Sequence, residues 1–172
     1  LERAAVQYRQ AIQKAPSDWR LCFKYGKLLA EDLKDYQTAA EQYRLVLKCL
    51  PHSYLGHTAL GAVSRGLGNL DEVIAQYQEA IRIKPTCDDA HYYLAWAYQK
   101  QGRIDKAVEY YSRTIRLQPD RVPAYNNLAE ILYKQGKIEQ AIEICRRGLV
   151  FTPDSSILHC NLGLLLDKQG HR

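Results

Sequence analysis

Methionine is absent from this chain altogether, and tryptophan and phenylalanine occur only twice each. With no methionine at residue 1, the sequence is expected to be an excised segment of a longer polypeptide. No apolar run approaches the roughly 20 residues that a membrane-spanning helix needs. The first residues, LERAAVQYRQAIQ, read as an amphipathic helix, without the basic start and apolar core of a secretory signal. The five cysteines (Cys22, Cys49, Cys87, Cys145, Cys160) are odd in number and form no Cys-x-x-Cys pair. That pattern argues against a disulfide framework or a zinc site and for reduced thiols in a cytoplasmic chain. A glycine-rich phosphate loop, a GxSxG elbow and a His-Glu-x-x-His helix are all missing. No catalytic residue, metal site or cofactor is therefore expected. The net charge of +5 is compatible with an acidic partner without demanding one.

Proline is placed with a period. Pro16, Pro51, Pro85, Pro119 and Pro153 recur at intervals of 35, 34, 34 and 34 residues and account for all but one of the six prolines. A fixed period in this range marks a solenoid of stacked helical units. The clearest unit reads as a helix over 88–101, a turn at Gly102, a second helix over 104–117 and the punctuating Pro119. Other landmarks keep the same step. Leu60, Leu94, Leu128 and Leu162 share a register with Tyr25, and a small residue follows each: Gly26, Gly61, Ala95, Ala129, Gly163. In the second helix a short side chain recurs as Ala4, Ala39, Val73, Ala107 and Ala141, followed four residues on by Tyr8, Tyr43, Tyr77, Tyr111 and Cys145. Small residues let two helix backbones approach, and large ones fill the grooves between them.

Local signals set the boundaries. Ser17, Thr86, Asp120 and Asp154 each follow a proline and are expected to cap the next helix. Lys-Gln-Gly at 100–102, 134–136 and 168–170, with Gly68 in register, predicts left-handed glycines closing the first helices. The first full unit is one residue longer than the others, and the extra residue is expected in the turn within AEDLKDY. His57, His91 and His159 occupy one register, filled by Tyr125 in the remaining unit. Neighbouring units stand about 10 Å apart, whereas zinc needs its ligands at ~2 Å in one cluster. These histidines are read as packing residues.

Taken together, the leucine–glycine, alanine and proline positions resemble the tetratricopeptide repeat over essentially the whole chain. The resemblance implies an all-α, right-handed α-solenoid of antiparallel helix pairs, about ten helices in a single array. Its expected divisions are a half repeat over 1–18, full repeats over 19–53, 54–87, 88–121 and 122–155, and a half repeat over 156–172. The last helix carries Ile157, Leu158, Leu162, Leu164, Leu165 and Leu166 with no second helix behind it, so further repeats or domains of a parent chain are expected to cover it.

In arrays of this family the first helices line a concave face, and the resemblance implies a groove that holds a protein or peptide segment. The partner-binding residues it points to are Lys27, Arg65, Tyr92, Tyr93, Trp96, Asn126, Asn127, Glu130, Tyr133 and Asn161. Tyr92, Tyr93, Trp96 and Tyr133 form an aromatic cluster of the kind found in binding hot spots, beside asparagines able to hold peptide amides. Two specialisations of the family are weighed residue by residue. The two-carboxylate clamp that recognises chaperone tails would fall on Thr58, Ala62, Tyr93, Pro123 and Asn127, and only the asparagine fits. The asparagine ladder of O-GlcNAc transferase arrays is matched by Asn127 and Asn161 but not by Lys24, Ala59 or Tyr93. The expected function is a non-enzymatic interaction module in the cytoplasm, without membrane partners. The alternatives are an RNA-binding helical array, disfavoured by the repeat length and modest basicity, and the substrate-recognition array of a glycosyltransferase resembling O-GlcNAc transferase.

Overall fold

A proline ring crowds the residue before it out of the helical region, and five times along the chain this ends a helix. Ala15, Leu50, Lys84, Gln118 and Thr152, each ahead of a periodic proline, lie at φ between −130° and −137° and ψ between 68° and 90°. The N–H two residues past the proline then bonds back to that carbonyl. Asp18 to Ala15, Ser53 to Leu50 and Ser155 to Thr152 are each 3.1 Å, Cys87 to Lys84 is 3.0 Å and Arg121 to Gln118 is 3.2 Å.

The computed structural model describes residues 1–170. His171 and Arg172, the end of the expected final half repeat, lie outside the described residues. Ten α-helices and no strand are found among the described residues: α1 Glu2–Lys14, α2 Trp19–Leu28, α3 Tyr36–Cys49, α4 Tyr54–Gly66, α5 Leu70–Ile83, α6 Asp88–Lys100, α7 Ile104–Leu117, α8 Val122–Lys134, α9 Ile138–Phe151 and α10 Ser156–Gly170. The first helices of the repeats are the even-numbered ones.

The expected caps lie one residue too early. The tight turn consumes the residue after proline, so the cap is the second residue after it. Asp18 Oδ1 accepts the Arg20 N–H at 3.0 Å, Ser53 Oγ the Gly56 N–H at 3.1 Å and Ser155 Oγ the Leu158 N–H at 3.4 Å. Likewise Thr86 and Asp120 sit in the turn, with α6 beginning at Asp88 and α8 at Val122.

The opposite turn, inside each repeat, works through backbone handedness. Gly68, Gly102 and Gly136 all stand at φ +75°, with open space around the position of a missing Cβ. The next N–H in each case (Asn69, Arg103, Lys137) reaches back to Ser64, Tyr98 or Leu132 and closes the helix end. Gly170 differs: it remains the last residue of α10, and no second helix follows among the described residues to require a left-handed turn.

In the first full repeat the extra residue is absorbed within the helix, not by a longer loop as expected. Leu29–Leu33 form a π-helical turn after α2, closed by Asp35 N–H to Leu29 O at 2.9 Å. Lys34 then takes the left-handed position at φ +56°. An L side chain there costs roughly 1–2 kcal/mol, against about 0.5–1 kcal/mol of extra chain entropy for glycine. Lys34→Gly is therefore expected to stabilise the protein by about 0.5–1 kcal/mol. A urea midpoint that stays put or falls would contradict this.

The chain clusters into two compact units, Leu1–Ala90 and His91–Arg172. In the first, α1 packs on α2, α2 on α3, α3 on α4 and α4 on α5. Two close approaches use small positions read from the sequence. A Cβ on Gly26 would lie 2.9 Å from the Tyr43 ring, and one on Gly61 would lie 3.0 Å from the Tyr77 ring. In the second unit α7 packs on α8, α8 on α9, α9 on α10, and α8 also lies beside α10. There Leu94, Ala95, Ala107, Tyr111, Leu128, Ala129, Ala141 and Cys145 are all buried. Burial pushes the Cys145 thiol up to about 11 and the Tyr43 phenol of the first unit, with a contribution from Glu31, to about 12.

Candidate binding face of the first helices

The recurrent histidine register positions the first helices. His57 Nε2 donates to Pro51 O at 3.0 Å, His159 Nε2 to Pro153 O at 2.8 Å and the Tyr125 hydroxyl to Pro119 O at 2.9 Å. Each side chain sits six residues after a periodic proline and pins its carbonyl, fixing where the first helix leaves the turn. The Pro-plus-six spacing was visible in the sequence, but its hydrogen-bonding purpose was not. Among the described residues no group of three or more His, Cys, Asp or Glu side chains is arranged to hold a metal ion.

Eight of the ten expected binding residues belong to the second unit. Tyr92, Tyr93 and Trp96 lie on α6, Asn126, Asn127, Glu130 and Tyr133 on α8, and Asn161 on α10. A chain of hydrogen bonds joins several of them. Asn161 Nδ2 donates to Asn126 Oδ1 at 2.6 Å, and Asn126 Nδ2 donates to Asn127 Oδ1 at 3.2 Å. Asn127 Nδ2 then donates to the Tyr111 hydroxyl at 3.0 Å and the Tyr92 hydroxyl at 3.2 Å. The Tyr111 hydroxyl, from α7, in turn donates to Gln99 Oε1 at 2.8 Å. The Tyr111 phenol is held well above the usual tyrosine range by burial, which outweighs the opposing effect of the Asn127 amide.

This network changes the roles read from sequence. The Asn127 amide spends both of its protons on tyrosines and its oxygen on Asn126, so its polar groups are engaged within the protein. Tyr92 is partly internal as well. Its ring packs on Tyr111 at 5.7 Å and edge-on to Tyr93 at 5.1 Å, with the Arg121 guanidinium 4.4 Å above it. The groups left beside open space are those that line the clefts next to α8.

Two clefts flank α8. The one between α6 and α8 holds about 620 Å³ and is lined by Trp96, Gln99, Lys100, Asn127, Glu130 and Lys134, among others. The one between α8 and α10 holds about 290 Å³. Its apolar walls are Ala129, Tyr133, Leu164 and Leu165, and its polar groups come from Asn126, Asn161, Glu130 and Lys168. Tyr133 and Leu164 are 42% and 60% exposed, and both line this cleft. Glu130 borders both clefts and bonds Lys134 at 2.5 Å.

The remaining two expected residues belong to the first unit. Lys27 on α2 is exposed and lies 3.7 Å from Glu31. Arg65 on α4 lines a cleft of about 350 Å³ together with Glu31, Lys34 and Tyr36. The π-helical turn, which no periodic reading of the sequence anticipates, forms one wall of that cleft through Ala30 and Glu31.

A family model described as "Tetratricopeptide repeat" matches residues 1–54 and 92–156, and one described as "TPR repeat" matches residues 65–102. A comparison with curated protein sequences finds no match. Among solved structures, that of MamA is similar at 23% identity and a TM-score of 0.83, over 87% of each chain. MamA from Desulfovibrio magneticus RS-1 is similar at 20% identity and a TM-score of 0.81, over 90% of this chain and 87% of that one. YrrB, a TPR protein with an unusual peptide-binding site, is similar at 18% identity and a TM-score of 0.76, over 96% of this chain and 84% of its own. At these identities the likeness concerns the fold, an all-α solenoid of helix pairs. No helix among the described residues is long and apolar enough to cross a membrane.

Proposed function

Because the chain belongs to the tetratricopeptide repeat family, we propose that it is a protein-interaction module whose second unit captures an extended segment of another protein on the face of α6, α8 and α10. The observation that carries this reading is the pair of clefts on either side of α8, open to solvent and bordered by Trp96, Tyr133 and Asn161. Their floor is the hydrogen-bonded network through Asn127 and Tyr111, which holds the walls in place before a partner arrives. Such preorganisation reduces the ordering cost of binding. Aromatic side chains beside unfilled space supply anchors with few rotamers to freeze. YrrB shows that a fold of this kind carries a peptide-binding site in another protein; the present reading gives this chain a comparable task with its own residues.

The test is selection from an unbiased displayed peptide library, followed by affinity measurement on the paired variant Trp96→Ala/Tyr133→Ala. The selected peptides are expected to lose about tenfold or more in affinity, corresponding to at least ~1.4 kcal/mol, while far-ultraviolet circular dichroism stays unchanged. Peptides that bind the variant as well as the parent would move the site off this face.

A further inference from the structure

Lysine returns at one place in every first helix of the second unit: Lys100, Lys134 and Lys168, spaced by 34 residues. Each lies in the last turn of its helix, where a cation favours the negative end of the helix dipole. The dipole would account for their presence anywhere around that turn. Their actual placement is more specific, because Lys100 and Lys134 line the larger cleft and Lys168 the smaller. Lys134 is matched by Glu130. Lys100 lies 5.9 Å from the Trp96 ring centroid, and among the described residues neither Lys100 nor Lys168 takes part in an ion pair. Two uncompensated ammonium groups thus border the same face, one on each side of α8, with the exposed Tyr133 and Leu164 in the cleft beside Lys168. One polar acceptor is also left over, since Asn161 donates to Asn126 while its Oδ1 is not engaged among the described residues.

We infer that the segment captured here is acidic, with one aliphatic side chain seated between Tyr133 and Leu164 and carboxylates set against Lys100 and Lys168. The inference rests on the binding face proposed above and adds the chemistry of its ligand. Charge complementarity argues for the sign: the face presents ammonium groups without an ion-pair partner, and a carboxylate next to an apolar anchor satisfies both features at once. The apolar walls argue for an aliphatic group, because Ala129, Leu164 and Leu165 leave a cleft of side-chain dimensions with an aromatic edge from Tyr133. The two clefts lie on opposite sides of one helix, and adjacent helices stand 8–10 Å apart. At ~3.3 Å per residue of extended chain, the aliphatic residue and the carboxylate facing Lys100 fall about two or three residues apart. A backbone N–H beside the aliphatic residue would reach Asn161 Oδ1, which borders the same cleft.

The probe is a short fluorescent peptide carrying one leucine among aspartates, with three companions. In one companion the aspartates are replaced by lysines, in the second the leucine is replaced by alanine, and the third is a single-stranded RNA of similar length. Fluorescence anisotropy is read against the parent protein, Lys100→Glu/Lys168→Glu, and the charge-preserving Lys100→Arg/Lys168→Arg. The acidic leucine peptide is expected to bind about tenfold or more tightly than its lysine and alanine companions and than the RNA. Charge reversal should remove at least that factor, the arginine pair should retain most of the affinity, and added salt should weaken binding. Equal binding of the lysine peptide, tighter binding of the RNA, or indifference to charge reversal would overturn the inference. If library-selected peptides lose affinity in Trp96→Ala/Tyr133→Ala but not on charge reversal, the binding face stands and the acidic ligand falls. If they ignore both variants, the face itself falls.

Discussion

Tyr111→Ala is expected to lower the unfolding free energy by about 3–5 kcal/mol, the range for deleting a fully buried aromatic side chain. The ring is entirely inaccessible and packs against Tyr92. Its hydroxyl is the junction at which α7 meets both Gln99 on α6 and Asn127 on α8. Removing it opens a cavity and also strands two amides in a partly buried place. Tyr111→Phe separates these effects, since the ring stays and only the junction is lost. That variant is expected to cost about 1–3 kcal/mol, the penalty for leaving buried polar groups without partners. Urea unfolding followed by circular dichroism reads both. A phenylalanine variant as destabilised as the alanine one would mean that the network outweighs packing. An alanine variant within ~0.5 kcal/mol of the parent would mean that the second unit does not close around this residue.

How far the sequence discloses this arrangement depends on the range of the interaction. The turns are local and nearly all legible, because a proline acts on the residue before it and a left-handed glycine acts on its own backbone. Even there, Asp18 and Ser155 cap the helices that Ser17 and Asp154 were expected to cap, since the tight turn uses one more residue than a reading from the proline allows. The π-helical turn at Leu29–Leu33 was legible only as one surplus residue. A count of residues says that the period is broken, but not whether the loop lengthens or the helix widens.

The face is less legible than the fold for a physical reason. A register tells which residues share a side of the array, but it does not tell which of their polar groups are already used. Asn126 and Asn127 are adjacent and chemically identical, yet Asn127 is consumed by Tyr92 and Tyr111 from two other helices, whereas Asn126 borders the smaller cleft. Likewise Tyr92 and Tyr133 share a type but not a role. Tyr92 is covered by Arg121 and bonded by Asn127, while Tyr133 stands exposed beside Leu164. The lysines 100, 134 and 168 share a register in the sequence, and only the fold shows that they border clefts. The histidine register shows the same limit, since only the fold brings the ring at position 57 or 159 back to a proline carbonyl six residues earlier.

The small position that follows the leucine register offers a matched comparison of packing against propensity. A leucine in place of either Gly61 or Gly163 gains up to roughly 0.8 kcal/mol in helix propensity. At Gly61 a Cβ alone would already lie 3.0 Å, 3.1 Å and 3.2 Å from three atoms of the Tyr77 ring, and that ring is itself buried and cannot swing aside. Gly61→Leu must push α4 away from α5, and the overpacking is expected to destabilise the first unit by about 2–3 kcal/mol net of propensity. At Gly163, in the same register on α10, no heavy atom lies within 4 Å of the added carbon. Gly163→Leu is accordingly expected to leave the urea midpoint unchanged or slightly raised. Near-equal losses at the two sites would mean that backbone effects govern this register; near-equal neutrality would mean that α4 and α5 are not held together through the glycine–tyrosine contact. The opposite responses expected of one substitution at two equivalent positions follow from the single difference between them, an aromatic ring facing one glycine and open space facing the other.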